Sequence, residues 1–166
     1  MSETGEQYKA RLASYVAGKD PIEMQQKMAG ALARLIKGVP DTKLKVAPAP
    51  GKWTVTEILM HLAEDELASS WRYRQMLEHD GPELAGFDQD LWARLSNYVS
   101  WQPAEALTMF RLLREANLRM FAQLTPEQWQ RHGIHAERGK LTVRDLCRHT
   151  AAHDVNHLEQ IRKILG

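Results

Sequence analysis

The chain has 166 residues, 43% of them apolar, with 22 Lys plus Arg against 21 Asp plus Glu, the proportions of one soluble globular domain able to bury a core. A formal charge of +1 gives no basic excess for neutralising phosphates, which speaks against nucleic-acid binding. The single thiol, Cys147, allows no intrachain disulfide and fits a reducing cytoplasm; the opening MSETGEQYKARLASY lacks the pattern of a secretory signal, and no segment approaches a membrane span.

Apolar residues recur with helical rather than alternating period, so an all-α chain is expected. A short N-terminal helix over about 5 to 17 places Tyr8, Leu12, Tyr15 and Val16 on one side and stops at Gly18. Asp20, Pro21 and Glu23 supply a cap, a first-turn proline and a residue to reach back to the cap, opening the first long helix over about 21 to 37. Thr54 and Glu57 form a second capping box, and the second long helix runs to about Leu77. A crossover of about 25 residues follows, with Gly81, Pro82, Gly86 and a short helix through Leu91, Trp92, Leu95 and Tyr98. The third long helix spans Pro103 to Leu124. A turn at TPEQW and a polar loop, RHGIHAERGK, lead to the fourth, capped by Thr142 and Asp145 and reaching Leu165.

GKWTVTEILMH at 51–61 and GKLTVRDLCRH at 139–149 share Gly, Lys, Thr, Val and His at the same spacing, part of which is common capping chemistry. The second and fourth long helices are thus counterparts in two antiparallel hairpins joined by the long crossover, an up-down-down-up four-helix bundle.

Seven histidines are more than composition explains. His149, His153 and His157 lie on the fourth long helix and His61 on the second. Residues four apart share a helix face, so His153 and His157 can direct two imidazoles at one metal ion, although hydrogen-bonded core histidines would show the same spacing. With about 100° per residue from Val143, the apolar residues fill an arc from about 300° to 60°; His157 falls inside at about 320°, His153 at its edge near 280° and His149 outside near 240°. His149 is therefore read as a solvated or loop-contacting bystander. His61 lies about four residues before the midpoint of its helix and His157 about four past the midpoint of its own, roughly 6 Å along each axis. In antiparallel helices the two meet at one level; in parallel helices His61 would face His149. His61, His153 and His157 then give three nitrogens and leave a fourth position for water or substrate, as in a catalytic rather than a closed structural site.

The stretches GKWTVTEILMHLAEDE at 51–66, FDQDLWARLSNY at 87–98 and TVRDLCRHTAAHDVNHLEQI at 142–161 resemble the DinB/YfiT-like superfamily of metalloenzymes, over roughly residues 20–165. The resemblance implies a four-helix bundle, frequent homodimers, and a divalent metal held by one histidine of the second helix and the HxxxH pair of the last, here His61, His153 and His157. It also implies that some relatives act on low-molecular-weight thiols.

Asp154 completes an HDxxH motif and faces inward near 20°, where it could orient a ligand or act as a base, or serve only in an ion pair. Asp65 and Glu64 are further candidates for accepting an imidazole N–H. Arg114 sits in phase with Phe110 and Leu118 and needs a carboxylate, either internal, such as Asp65 or Asp154, or the acidic group of a substrate. Trp53, Trp71, Trp92, Trp101 and Trp129 are expected to anchor core and loops, and His132, His135 and Cys147 are assigned to structure. The leading functional reading is a zinc- or nickel-dependent cytoplasmic enzyme that activates water or a small-molecule thiol, a hydrolase or thiol S-transferase. Against it stand a noncatalytic metal-binding stress-response module and an interaction protein whose histidines bind no metal.

Overall fold

The computed structural model describes residues 3–166. Helix α1 (Gly5–Val16) is closed at its start by a reciprocal box between Thr4 and Gln7. Asp20 caps α2 (Pro21–Ile36) through the Ile22 amide, while Glu23 pairs with Lys27 instead of reaching back to the cap. The loop after it holds one turn of helix, α3 (Asp41–Leu44). The boxes Thr54/Glu57 and Thr142/Asp145 both form, opening α4 (Val55–Glu78) and α8 (Val143–Leu165). Between them lie α5 (Gln89–Leu95), a 3-10 turn at 98–100, α6 (Pro103–Phe121) and the short α7 (Pro126–Gln130). Among the described residues no helix is long and apolar enough to cross a membrane.

Contacts fix the helix directions. Tyr73 and His61, in reverse order, meet Thr150 and His157 of α8, so α4 and α8 are antiparallel. Glu66, Ser70 and Tyr73 meet Arg114, Asn117 and Phe121 in ascending order, so α4 and α6 are parallel. The up-down-down-up bundle is as expected. Its consecutive antiparallel members are diagonal, however: the main seams join α4 to α6 and α8, and α2 to α6 and α8. The connections at 37–54 and 122–142 are long enough to span the bundle rather than turn a tight hairpin.

Two apolar clusters sandwich a polar layer. At one end Leu32, Ile58, Phe110, Leu158 and Ile161 pack together; at the other Tyr73, Met76, Phe121, Trp129 and Leu146 do. Between them Gln25, Glu66, Arg114, Asn117 and Asp154 come from all four long helices, each at most 1% exposed.

The segment read as a polar loop forms a small sheet. Strand β1 (Glu83–Leu84) pairs in parallel with β2 (His132–His135), which pairs antiparallel with β3 (Gly139–Thr142). Gly133 permits the approach, because a Cβ there would lie 2.7 Å from Leu84 Cδ1.

Candidate metal centre

His61 sits near the start of α4, and His153 and His157 lie one turn apart on α8, so the antiparallel seam brings the three rings together. His153 Nε2 stands 3.1 Å from both His61 Nε2 and His157 Nε2. Nitrogens each bound about 2.0–2.1 Å from a tetrahedral zinc would be about 3.3–3.4 Å apart, close to this spacing. Hydrogen bonding alone does not explain the cluster. The one in-plane site on His153 Nε2, whether N–H or lone pair, can satisfy one of its neighbours and not both. A cation would satisfy all three nitrogens at once, so the donor set fits a divalent ion.

The chemistry of the rings agrees. Burial lowers His61 to about 3, helped by the charge of His157; burial lowers His157 to about 4, and it drives His153 well below its ordinary value. All three are neutral near pH 7, the form in which imidazole binds metal. His157 Nδ1 donates to Gln160 Oε1 at 2.8 Å, leaving its Nε2 lone pair toward the cluster. His61 Nδ1 is buried with no hydrogen-bond partner, its ring 4.9 Å from that of Trp53. Asp65 Oδ2 is 3.5 Å from His153 Nδ1, an electrostatic neighbour outside hydrogen-bond geometry. Burial, then the adjacent Glu66, raises the Asp65 carboxyl to about 6.

The other candidates separate cleanly. Arg114 takes the internal carboxylates: Nη1 donates to Asp154 Oδ2 at 2.7 Å and Nη2 to Glu66 Oε2 at 2.8 Å. At 1% exposure its donors go to these two carboxylates, the internal one of the two alternatives that the sequence offers. Asp154 is correspondingly an ion-pair residue of the polar layer. Its carboxylate is turned to Arg114 and is not among the residues that line the cleft beside the histidines, the arrangement of the ion-pair alternative. One guanidinium faces two buried carboxylates, and burial raises Asp154 to about 7 against the pull of Arg114. Glu64 is engaged elsewhere, accepting from Ser96 Oγ at 2.5 Å and Tyr98 Oη at 2.6 Å, and so pins the crossover.

His149 lies on the hairpin side of α8, partly buried. It borders the cleft beside His153, the two ring centroids 6.2 Å apart, and burial lowers it to about 3. His135 borders the same cleft. Helical phase about the four-helix core carries no trace of the cover that α1 and the β2–β3 hairpin give that side of α8. Arg72 and Arg138, also in the cleft wall, gave no sequence signal. His132 stays structural, its Nδ1 2.9 Å from Asp80 Oδ1. Trp71, expected as an anchor, is 65% exposed.

The bundle topology and three convergent imidazoles that could hold a metal ion are of the kind that the sequence motifs suggested. Residues 25–161 match the family model of the DinB superfamily, and the chain belongs to that family. YfiT of Bacillus subtilis (strain 168), named as an inferred metal-dependent hydrolase, is 21% identical over 165 residues, covering 96% of this chain and 93% of YfiT. Its solved structure, described as having an unusual four-helix bundle topology, superposes with a TM-score of 0.81 at 20% identity over 98% of this chain and 88% of that one. OB0413 of Oceanobacillus iheyensis carries the same inferred hydrolase name and is 23% identical over 135 residues, 81% of this chain and 78% of that protein. The fold is shared as well with a mycothiol-dependent maleylpyruvate isomerase, with a TM-score of 0.64 at 10% identity over 81% of this chain and 58% of that one.

Proposed function

We propose that this protein is a divalent-metal-dependent enzyme of hydrolase or thiol S-transferase type, with His61, His153 and His157 as ligands through Nε2. The observation that carries the reading is the 3.1 Å convergence of neutral imidazole nitrogens that hydrogen bonding leaves unsatisfied. The hydrolase names of YfiT and OB0413 support it. Zinc or nickel suits three imidazoles. Bound there, such an ion supplies Lewis acidity that makes water or a thiol nucleophilic near neutral pH.

The rest of the work falls to the chain. Gln160 fixes the tautomer and tilt of His157. Asp65 faces His153 and favours a proton on its Nδ1, which keeps Nε2 available. Among the described residues no fourth His, Cys, Asp or Glu joins the three-histidine group, so an ion held there would keep a position for water or substrate, which favours catalysis over a closed, noncatalytic metal site. The thiol reading draws on the fold shared with the mycothiol-dependent isomerase and on Cys147. That thiol is buried, bonded by Gln25 and pushed up to about 12 by burial, so a reacting thiol would be an external, low-molecular-weight one. Action as a cytoplasmic homodimer belongs to the same proposal and rests on the family resemblance and the lone cysteine.

Elemental analysis of untagged protein purified without chelator tests the centre. Near-stoichiometric metal is expected in the wild type and none in His61→Ala or in the double variant His153→Ala, His157→Ala. Wild type that stays metal-free after incubation with zinc, nickel, manganese and iron refutes the reading. A panel of hydrolysable substrates assayed with and without added thiols then separates the two reaction types, since turnover that needs the thiol selects transfer.

A further inference from the structure

The cleft beside the histidines, about 270 Å³ in volume, has Arg72 and Arg138 in its wall. A wider groove of about 700 Å³ continues from it between α1 and the β2–β3 turn, sharing Tyr8, Glu137, Arg138 and His149 with the cleft. One wall of that groove is apolar, made by Leu12 and Val16 of α1 and Ala152 of α8; its rim carries Lys9 and Arg148.

Neither arginine is held in an ion pair, although Asp65 and Glu137 line the same cleft. Arg72 is only 7% exposed, yet its Nε and Nη2 reach a neutral acceptor, the Ala85 carbonyl, at 3.3 and 2.7 Å. Among the described residues no carboxylate stands within salt-bridge distance of Arg72, Arg138, Arg148 or Lys9. Buried Arg114, by contrast, holds two. Asp65, the carboxylate deep in the cleft, is directed at His153, and Glu137 is exposed on the turn. A guanidinium withdrawn from water without an anion is costly, and its planar fork matches the oxygens of a carboxylate or a phosphate. Asp65 and, less strongly, Arg138 are both near enough to act on the charge of Arg72, in opposite senses, so the three groups face one region.

We propose that cleft and groove together bind a small amphipathic organic anion, its carboxylate or phosphate between Arg72 and Arg138 and its apolar part along Leu12, Val16 and Ala152. That this anion is the substrate rests on the metal-enzyme reading above; that it binds does not.

Hexanoate is the probe, with 1-hexanol as its uncharged counterpart and acetate as its truncated one. All three are titrated by NMR into the full chain, once after chelator treatment and once after zinc addition. Hexanoate is expected to bind roughly tenfold more tightly than either control in both forms, the scale of one charge-assisted contact or of a buried short alkyl chain. Arg138→Met, on an exposed turn where folding is not at stake, lowers hexanoate affinity by about the same factor and leaves hexanol unchanged. Arg138→Glu lowers it further, and Arg119→Met on α6 has no effect. Equal affinity for hexanoate and hexanol, or hexanoate binding insensitive to both Arg138 variants, overturns the anion site, and equal affinity for hexanoate and acetate overturns the apolar groove. The two proposals fail separately. Wild type that takes up no metal but discriminates as described upholds the anion site without the metal centre, and zinc uptake without discrimination does the reverse.

Discussion

Replacing Arg114 with methionine tests whether the polar layer is held by charge. The guanidinium is 1% exposed and makes bonds of 2.7 Å to Asp154 and 2.8 Å to Glu66, so Arg114→Met leaves two buried carboxylates without their cation. Removing one partner of a buried pair costs about 3–5 kcal/mol, a large part of the roughly 5–15 kcal/mol that holds a domain together. At about 2–4 °C per kcal/mol for a chain of this size, the melting temperature should fall by about 6–20 °C. Urea denaturation of chelator-treated protein measures the loss without interference from metal. The pH dependence supplies an internal check. Asp154 is raised from 3.8 to about 7 even with Arg114 present, and it rises further without it. Between the unfolded and folded values the native state holds a proton that the unfolded chain has released, so the stability of the variant falls as pH rises through that window. The deficit relative to wild type is therefore smaller at pH 5 than at pH 8. Adding Glu66→Leu and Asp154→Leu to Arg114→Met should recover most of the loss, leaving about 1 kcal/mol for the Asn117 amide that loses Glu66. A loss below 1 kcal/mol in the single variant, or a deficit independent of pH, would refute an electrostatic role for the layer.

Two other outcomes follow from packing. Gly133→Ala places a methyl group 2.7 Å from Leu84 Cγ and Cδ1; it should cost about 1–3 kcal/mol by overpacking the β1–β2 contact, read as a lower denaturation midpoint, and Leu84→Ala in the same chain should relieve part of it. Cys147, 1% exposed with its thiol raised to about 12, should resist a thiol-reactive dye at pH 8 in the native chain and react at once in denaturant, whereas rapid native labelling would contradict its burial.

The sequence made the bundle and its metal-ligand candidates readable for specific reasons. Helix starts were legible at Thr54 and Thr142 because a capping box is local chemistry, complete within four residues. The triad was legible because helical phase and helical rise are both arithmetic, so His61 and His157 could be set at one depth once the helices were taken as antiparallel. What escaped depends on elements far apart in the chain. The strand at 132–135 is four residues long and has two histidines in it, too short and too polar for alternation to be noticed. Arg72 became a cleft residue only because α1 and the β2–β3 hairpin fold over its side of the bundle, and Arg138 only because that hairpin exists. Charge on a helix face otherwise reads as solvated. The partners of Arg114 were half legible: Asp154 was named together with Asp65, and Glu66 was not.

The internal echo shows how a repeated segment can give an unsymmetrical site. Gly51 and Gly139 both adopt left-handed backbone, φ +72° and +70°, and each leads through Lys and one further residue to a threonine cap. The matching histidines, His61 and His149, then fall at the same distance from their helix starts. Because α4 and α8 run in opposite directions, equal distance from the start means opposite depth in the bundle. His61 consequently meets His153 and His157, one and two turns beyond the echo, while His149 is left toward the hairpin end of α8. A direct imidazole pair between the echo positions would require parallel helices. The antiparallel seam instead gives α8 two of the three convergent nitrogens and puts His149, with Arg138, on the wall through which a ligand would reach them.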